Sequence, residues 1–341
     1  MQRIFPFLWL SCLLALSPFT VLAQEPIIDM HMHALPADAQ GPPPLAMCTP
    51  IAPMPAWDPA IPYGASFMGL FKKPPCADPV WSPMTDKEVM DQSIAIMEKL
   101  NIIGSLSGSK EFVATWRKAA PNRFIPGIMG EGNDILPPVG TLRDMHAKGE
   151  LAVLGEIGAQ YIGVAADDAK LEPYWALAEE LDIPISIHIG PGPPGVIYLG
   201  AQNYRARLHS PLQLEEMLVK HPKVRVNVMH AGFPMLDDMM AVLYAHPQVY
   251  LDVGVIVYTQ PRPAFYRYLQ TLVDAGFGNR IMFGSDQMVW PGTIERAVNV
   301  INEAPFLSKA QKRDIFYNNA ARFLRLSPET MAAHRKLGGL K

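Results

Sequence analysis

Two histidines one residue apart, His31 and His33, close an apolar run that spans residues 27–33. The run predicts a buried strand. Because successive strand side chains point to opposite faces, the two imidazoles share one face and can converge on one point in space. This is the geometry of metal ligands, although the same pair also occurs on solvated strand ends. The pair alone leaves both interpretations open.

Four further side chains with metal-binding chemistry come at the ends of other apolar runs. Some have structural explanations when taken singly: His188 as a hydrogen-bonded core histidine, and Asp286 as the cap of the following loop. A buried Glu156 is costly unless a cation or hydrogen-bond donors compensate its charge. The set is Glu156, His188, His230 and Asp286. One divalent cation, or a pair of them, explains this set together with the first two histidines. Zinc is the first choice for such ligands, with manganese, iron or nickel as alternatives.

The elements that must position these residues alternate regularly along the chain. From Thr85 onward, short apolar strands follow amphipathic helices, and the first helix begins with a capping-box pattern from Thr85 to Glu88. Eight strands, each followed by a helix, favour a single α/β domain, a (β/α)8 TIM barrel. The predicted strands are 27–33, 102–107, 124–129, 152–157, 185–189, 224–230, 249–253 and 280–286. In such barrels the chemistry lies at the carboxyl ends of the strands, which is where the candidate ligands fall.

A long proline-rich insertion, residues 34–84, follows the first strand. Proline removes a backbone donor and fixes φ, so neither a helix nor a central strand is expected there. Its aromatic residues favour a packed lid over a disordered linker. Cys48 and Cys76 lie in the same segment and are expected to form a disulfide if the protein is exported, with two unpaired thiols as the alternative.

The amino terminus, residues 1–23, combines a positive start, an apolar segment and the small residues that signal peptidase requires. Cleavage is expected after Ala23, which removes Cys12. An uncleaved membrane anchor is the alternative, but Pro18 interrupts the run and the run is short for a bilayer span. The mature chain, residues 24–341, is therefore expected to be soluble and exported, periplasmic or secreted, without a stable membrane anchor.

Charge indicates the kind of partner. With 29 Lys+Arg against 32 Asp+Glu, the formal net charge is −3, and no basic cluster occurs. This excludes the electrostatic footprint of a nucleic-acid or anionic-membrane binder. A small-molecule substrate is the expected partner, and a homo-oligomer is left open.

The chain resembles the metal-dependent amidohydrolase superfamily, specifically its amidohydrolase-related branch, which includes hydrolases and nonoxidative decarboxylases. The resemblance covers about residues 26–326. Its matching pieces are Asp29-Met30-His31-Met32-His33, Gly155-Glu156-Ile157-Gly158, His188, His230-Ala231-Gly232, Phe283-Gly284-Ser285-Asp286 and Tyr317-Asn318-Asn319-Ala320-Ala321-Arg322.

By that resemblance, His31, His33 and Asp286 would hold one metal with His188 as a further ligand. A second metal would use His188 and His230, with Glu156 as the bridge. Many binuclear members carry a carboxylated lysine on the fourth strand, where this chain has Glu156. The metal count therefore stays open.

The leading hypothesis for function is metal-assisted hydrolysis of an ester, lactone or amide-type bond in a small molecule. A divalent metal lowers the pKa of bound water from about 15.7 to about 7 and polarises a carbonyl. The catalytic candidates are Asp286, which would transfer protons, and His230, which would stabilise the oxyanion if it is not a ligand. The alternatives are nonoxidative decarboxylation of an aromatic or unsaturated acid, and a noncatalytic binding protein. Substrate contacts are expected from Tyr198, Arg205 and Trp290 in the loops after the strands.

Overall fold

The computed structural model describes residues 24–130 and 134–338, and the predicted signal peptide, residues 1–23, lies outside the described residues. Eight parallel strands alternate with helices and form a (β/α)8 barrel, which confirms the predicted fold class. The barrel strands, labelled β1 to β8 in chain order, are Ile27–Ala34, Ile102–Gly108, Phe124–Pro126, Leu154–Ile157, Ile185–His188, Val226–Met229, Val249–Asp252 and Ile281–Met282.

Backbone hydrogen bonds close the ring of strands. Regular pairing gives two parallel groups, β1 to β3 and β4 to β8. The Met30 N–H donates to the Phe283 carbonyl at 2.8 Å, which joins β1 to the segment after β8. The Ile128 N–H donates to the Gly155 carbonyl at 2.9 Å, which joins the segment after β3 to β4. The carboxyl ends of all eight strands therefore meet at one mouth.

Several strands end earlier than their apolar patterns predict, and two of these early ends leave a candidate ligand outside its strand. The pattern extends β6 to His230 and β8 to Asp286, but the strands end at Met229 and Met282. His230 has a φ of 60° and Asp286 a φ of 51°, values outside the region that strand residues occupy. The chain therefore leaves the sheet in the segments that carry these two side chains.

The helices follow the predicted alternation with small shifts at their ends. The Thr85–Glu88 capping box is present at the start of the first outer helix. The predicted helix over residues 309–326 is interrupted in the middle by a π-helical turn. The α-helices are Tyr63–Lys72, Asp86–Leu100, Lys110–Ala119, Val139–Ala147, Glu172–Leu181, Glu215–Lys220, Leu236–Ala245, Ile256–Thr259, Arg262–Leu272, Thr293–Asn302, Lys309–Arg313, Asn319–Phe323 and Pro328–Leu337. Among the described residues, none of the helices is both long and apolar enough to cross a bilayer.

The insertion after β1, called the lid below, contains a helix that the sequence analysis did not expect. Tyr63–Lys72 is helical because the stretch between Pro62 and Pro74 is free of proline, and a proline just before the first helical residue costs no intrahelical hydrogen bond. The helix buries Tyr63, Phe67 and Phe71 on one face. The prediction of no helix in this segment was wrong, because it weighed the proline count over the spacing of the aromatic residues.

One covalent bond closes the lid on itself, and two sets of contacts hold it over the barrel mouth. Cys48 and Cys76 are joined by a disulfide, as predicted. The Phe71 ring stacks on Trp290, with 5.6 Å between centroids, and the Trp290 indole N–H donates to the Leu45 carbonyl at 2.9 Å. The Tyr63 hydroxyl donates to the Pro194 carbonyl at 2.5 Å. The lid is therefore bound to loops of the barrel at two separate places.

Candidate metal centre

In two of the predicted ligands, His31 and His230, one ring N–H donates a hydrogen bond to an acceptor held in a fixed position. His31 Nδ1 lies 3.2 Å from Asp252 Oδ1. His230 Nδ1 lies 2.9 Å from the carbonyl oxygen of Gly254. An ionised carboxylate and a carbonyl only accept hydrogen bonds, so Nδ1 carries the proton in both rings. Nε2 of each ring is left free to face the site.

The other two histidines follow the same rule. His33 Nδ1 lies 3.1 Å from Ser107 Oγ, and that hydroxyl donates its own hydrogen to the Met32 carbonyl at 3.3 Å. His188 Nδ1 lies 2.9 Å from Gln160 Oε1. The Gln160 amide is oriented by its Nε2, which donates to the Gly190 carbonyl at 3.0 Å. In both rings Nδ1 is therefore the donor, the arrangement typical of metal-binding histidines.

His188 differs from the others at Nε2. The Tyr161 hydroxyl lies 3.0 Å from this nitrogen. Because Nδ1 carries the proton, Nε2 offers a lone pair and the hydroxyl must be the donor. Burial, reinforced by the charges of Glu156 and Asp286, raises the pKa of Tyr161 well above its ordinary value. Tyr161 is thus a protonated donor at the floor of the site.

The two predicted carboxylates lie between the imidazoles of β1. Glu156 Oε2 is 3.1 Å from His33 Nε2 and 3.4 Å from His31 Nε2. Asp286 Oδ1 is 2.9 Å and 3.6 Å from the same two atoms. The Asp286 backbone is held from both sides: its N–H donates to the His31 carbonyl at 2.7 Å, and its carbonyl accepts the Tyr258 hydroxyl at 2.7 Å.

Four of these inward-facing atoms are buried without a hydrogen-bond partner: His31 Nε2, His230 Nε2, Glu156 Oε2 and Asp286 Oδ1. Lone pairs from nitrogen and oxygen left together without donors are the arrangement that a divalent cation satisfies. Three overlapping groups have ligand atoms within 4.8 Å of one another: His31–His33–Glu156, His31–His230–Asp286 and Glu156–His188–His230. The donor set therefore fits a divalent metal, and all six predicted residues lie in one cluster.

Burial and mutual charge shift the protonation of the cluster. Burial alone would lower the pKa of His31, but Asp286 and Asp252 outweigh it and raise the pKa well above its ordinary value, so a cation that binds His31 Nε2 must displace a proton from it. Burial would raise the pKa of Glu156, but His33 and His31 lower it below its ordinary value. Burial together with the neighbouring His230 lowers the pKa of His188 to about 3. The cluster thus has ionised carboxylates beside imidazoles, the protonation that metal binding requires of its carboxylates.

Several supporting residues escaped the sequence analysis. Asp252 ends β7 and contacts His31, the Gly254 N–H at 2.8 Å and Asn227 Nδ2 at 2.8 Å. The sequence does indicate Asp252, because it is a carboxylate at the end of a buried strand, and the same pattern identified Glu156. Gln287 holds β1 by accepting from the His33 N–H at 3.0 Å and donating to the His33 carbonyl at 2.6 Å. Gln287 and Gln160 lie outside the strands and carry no comparable signal.

Above the cluster lies a cavity of about 730 Å³. Its floor includes His33, Glu156, His188, His230 and Asp286, and most of its wall is formed by apolar side chains of the lid and the strand-end loops. Cavities of roughly 300–1,000 Å³ are the usual size of small-molecule sites. The geometry therefore combines a metal-binding floor with a mostly apolar chamber.

The three predicted substrate contacts have different positions. Trp290 is buried in the cavity wall, and Arg205 lines the cavity from an exposed position. Tyr198 is 58% exposed and does not line the cavity. It packs instead against Trp57 and Tyr63 of the lid, with ring centroids 4.7 Å and 5.7 Å apart. The structure thus brings two of the three residues to the chamber and places the third on the lid's outer edge.

The profile of the amidohydrolase family matches residues 28–326, so the chain belongs to the amidohydrolase family. It is an enzyme of the TIM-barrel class that this family shares. A comparison with curated proteins found no significant match.

Solved structures with the same fold are distant in sequence. An uncharacterised TIM-barrel protein from Bordetella bronchiseptica has a TM-score of 0.58 at 17% identity, covering 90% of this chain and 99% of that chain. A probable 2-pyrone-4,6-dicarboxylic acid hydrolase from Acinetobacter baumannii has a TM-score of 0.55 at 13% identity, covering 88% and 99%. A dihydroxybenzoic acid decarboxylase from Polaromonas, with bound manganese, has 0.55 at 15% identity, covering 90% and 99%. These likenesses establish the fold.

Replacement of Asp252 by Asn is expected to weaken metal binding by about 10- to 100-fold, the usual effect of removing a carboxylate that orients a metal-binding histidine. The amide would not supply the negative charge that holds the His31 Nδ1 proton. Affinity would be measured by titration against a competing chelator. Asp237→Asn, on an exposed position of helix Leu236–Ala245, is the matched control and should bind like the wild type. Equal affinity of the two variants would contradict the role of Asp252.

Proposed function

We propose that the protein is a metal-dependent hydrolase that cleaves an ester, lactone or amide-type bond of a small molecule. The observation that carries the proposal is the group of four unpartnered, buried lone-pair atoms at the floor of a mostly apolar chamber. One or two divalent cations would be held by His31, His33, Glu156, His188, His230 and Asp286, with zinc as the expected metal and manganese as the main alternative. A bound divalent cation supplies Lewis-acid chemistry, which polarises a carbonyl oxygen and acidifies water.

Asp286 is the proposed proton-transfer residue. Its carboxylate lies at the floor of the cavity, and the neighbouring His31 and His33 outweigh its burial and lower its pKa below the ordinary value. It is therefore ionised and able to accept a proton from water, and then to pass it to the leaving group. Its backbone contacts to His31 and Tyr258 hold the carboxylate in a fixed position.

His230 fits the ligand role better than the oxyanion role expected from the sequence. Its Nδ1 proton is donated to the Gly254 carbonyl, so Nε2 presents a lone pair and no hydrogen. Burial also lowers the pKa of His230, which opposes a second proton. Tyr161 is the better donor toward a developing oxyanion, because its protonated hydroxyl lies beside the cluster in the cavity lining. Its one O–H would be released from His188 Nε2 when that nitrogen binds a cation.

His33→Ala is expected to lower metal affinity by more than about 100-fold, because it removes a cluster atom itself rather than a supporting partner. Elemental analysis of the purified variant and turnover on a panel of esters, lactones and amides would measure both effects. His246→Ala, whose imidazole contacts Glu215 outside the cluster, should keep wild-type metal and turnover. Wild-type metal content and activity in His33→Ala would contradict the proposal.

Decarboxylation of an aromatic or unsaturated acid is the second candidate. It is supported by the position of Tyr161, because a His188 Nε2 already held by a hydroxyl favours one cation over two. The decarboxylase with manganese among the similar folds is consistent with it. The same elemental analysis distinguishes the two. One ion per chain and full activity in Glu156→Gln would favour decarboxylation, whereas two ions and an inactive Glu156→Gln would favour hydrolysis.

Tyr161→Phe tests the oxyanion donor. The variant loses one hydrogen bond to the transition state and should lower kcat by about 10²- to 10³-fold, the usual cost of one such donor. Metal content should not fall, because the phenyl ring leaves His188 Nε2 free. Tyr250→Phe is the matched control, since its hydroxyl contacts Arg322 away from the cavity. An unchanged kcat in Tyr161→Phe would exclude the hydroxyl from the reaction.

We further propose that the protein is exported, acts on a small molecule and needs no nucleic-acid partner. The Cys48–Cys76 disulfide supports export, because such bonds persist in oxidising compartments. The exported protein is expected to begin at Gln24 by intact mass, and to contain no free thiol when titrated in denaturant without reductant. An intact mass that includes residues 1–23, or the detection of two free thiols, would contradict the proposed export.

A further inference from the structure

The wall of the cavity differs sharply from its floor. Apolar side chains of the lid that line it include Met47, Ile51, Met54, Phe67 and Phe71. Those from the strand-end loops include Met129, Phe233, Val255, Met288 and Trp290. Thioether and aromatic side chains form adaptable apolar surfaces. A substrate that fills this chamber would therefore contact mainly apolar groups away from the cluster, together with a few uncharged polar side chains such as Gln40, Thr259 and Gln260.

Two of the polar groups on the wall are already engaged in hydrogen bonds within the protein. The Trp290 N–H is used by the Leu45 carbonyl, so its ring presents only apolar surface to the chamber. The Tyr204 hydroxyl is shared by the Gly190 carbonyl at 3.0 Å, the Gly192 N–H at 2.9 Å and His209 Nε2 at 2.5 Å. These groups have little hydrogen-bonding capacity left for a ligand.

The wall also lacks a buried cation to receive a carboxylate. Within the described part of the chain, Arg205 is the one Lys or Arg side chain in the cavity lining. It is exposed, and its Nη1 donates to the carbonyls of Gln202 at 2.9 Å and Tyr204 at 2.7 Å. The nearest buried charges on the floor include the carboxylates of Glu156 and Asp286. An acidic substituent held against the wall, away from the cluster, would therefore lose its hydration with only the exposed Arg205 nearby.

We infer that the substrate is a neutral ester or lactone with a bulky aromatic or aliphatic body. The body packs against the apolar side chains of the lid and of the strand-end loops, and the carbonyl reaches the cluster. The identity of the cleaved bond rests on the proposed hydrolysis. The apolar character of the rest of the substrate follows from the side chains that line the cavity wall. Lid residues, rather than the cluster, thereby determine which molecules are accepted.

Binding is tested without turnover by p-nitrophenyl alkyl ethers of increasing chain length, which the proposed hydrolysis cannot cleave. Quenching of tryptophan fluorescence reports their Kd on the metal-loaded wild type. Each added methylene should tighten binding by about fourfold until the cavity is full, the transfer value for burial of one CH₂ group. After removal of the metal with a chelator, when no cation at the cluster can bind a carboxylate, ethers of equal length that end in a carboxylate should bind at least tenfold more weakly than the neutral ethers.

Two variants locate the binding to the lid. Phe71→Ala removes the ring stacked on Trp290, and Ile51→Ser changes a wall residue without that packing role, so it serves if Phe71→Ala folds poorly. Each should reduce the gain per methylene and leave metal content unchanged. Tyr244→Ala, an aromatic position that is 87% exposed, is the control and should behave like the wild type.

Matched p-nitrophenyl esters then separate this inference from the proposed function. The expected result is that kcat/KM of the esters rises with chain length in parallel with ether binding. Ether binding that is independent of chain length, or stronger for the acidic ethers after removal of the metal, would overturn the inference whatever the esters do. Chain-length-dependent ether binding with no ester hydrolysis would overturn the proposed reaction and leave the ligand class intact.

Discussion

Two buried carboxylates that face buried imidazole lone pairs impose the main constraint on this structure. Glu156 and Asp286 both lie within about 3.1 Å of His33 Nε2, in a region from which water is largely excluded. Such charges are costly to bury unless a cation or donors compensate them. The donors among the neighbouring histidines are all directed outward through Nδ1, so the centre of the cluster is left with acceptors. A divalent cation is the group that satisfies this arrangement.

The surrounding fold holds that arrangement in place. Strand ends bring the six side chains to one mouth, and a layer of acceptors fixes each ring: Asp252, Ser107, Gln160 and the Gly254 carbonyl. The lid, cross-linked within itself by the Cys48–Cys76 disulfide, then covers the mouth through the Phe71–Trp290 stack. Chemistry and selectivity are thereby separated, with the cluster on the strand ends and the apolar wall shared by the lid and the strand-end loops.

Strand periodicity was sufficient to predict the barrel and to bring His31, His33, Glu156, His188, His230 and Asp286 together, because parallel strands share one carboxyl edge. It was not sufficient for residues that act through loop geometry. Gln160 and Tyr161 follow β4 in a 3₁₀ turn whose path no pattern specifies. Tyr198 was expected to contact substrate, but its loop carries it to Trp57 and Tyr63 at the lid's edge. The lid helix was not predicted because the segment as a whole is rich in proline, although the stretch between Pro62 and Pro74 contains none and has aromatic residues at helical spacing.

Anomalous diffraction from crystals of the purified protein, grown with zinc or manganese, tests the central claim most directly. Data collected on both sides of the metal's absorption edge locate the ion without reference to activity. The account predicts an anomalous peak among the side chains of His31, His33, Glu156, His230 and Asp286. Absence of a peak there at saturating metal, or a peak only at the surface cluster of His221, Glu172 and Glu179, would contradict it.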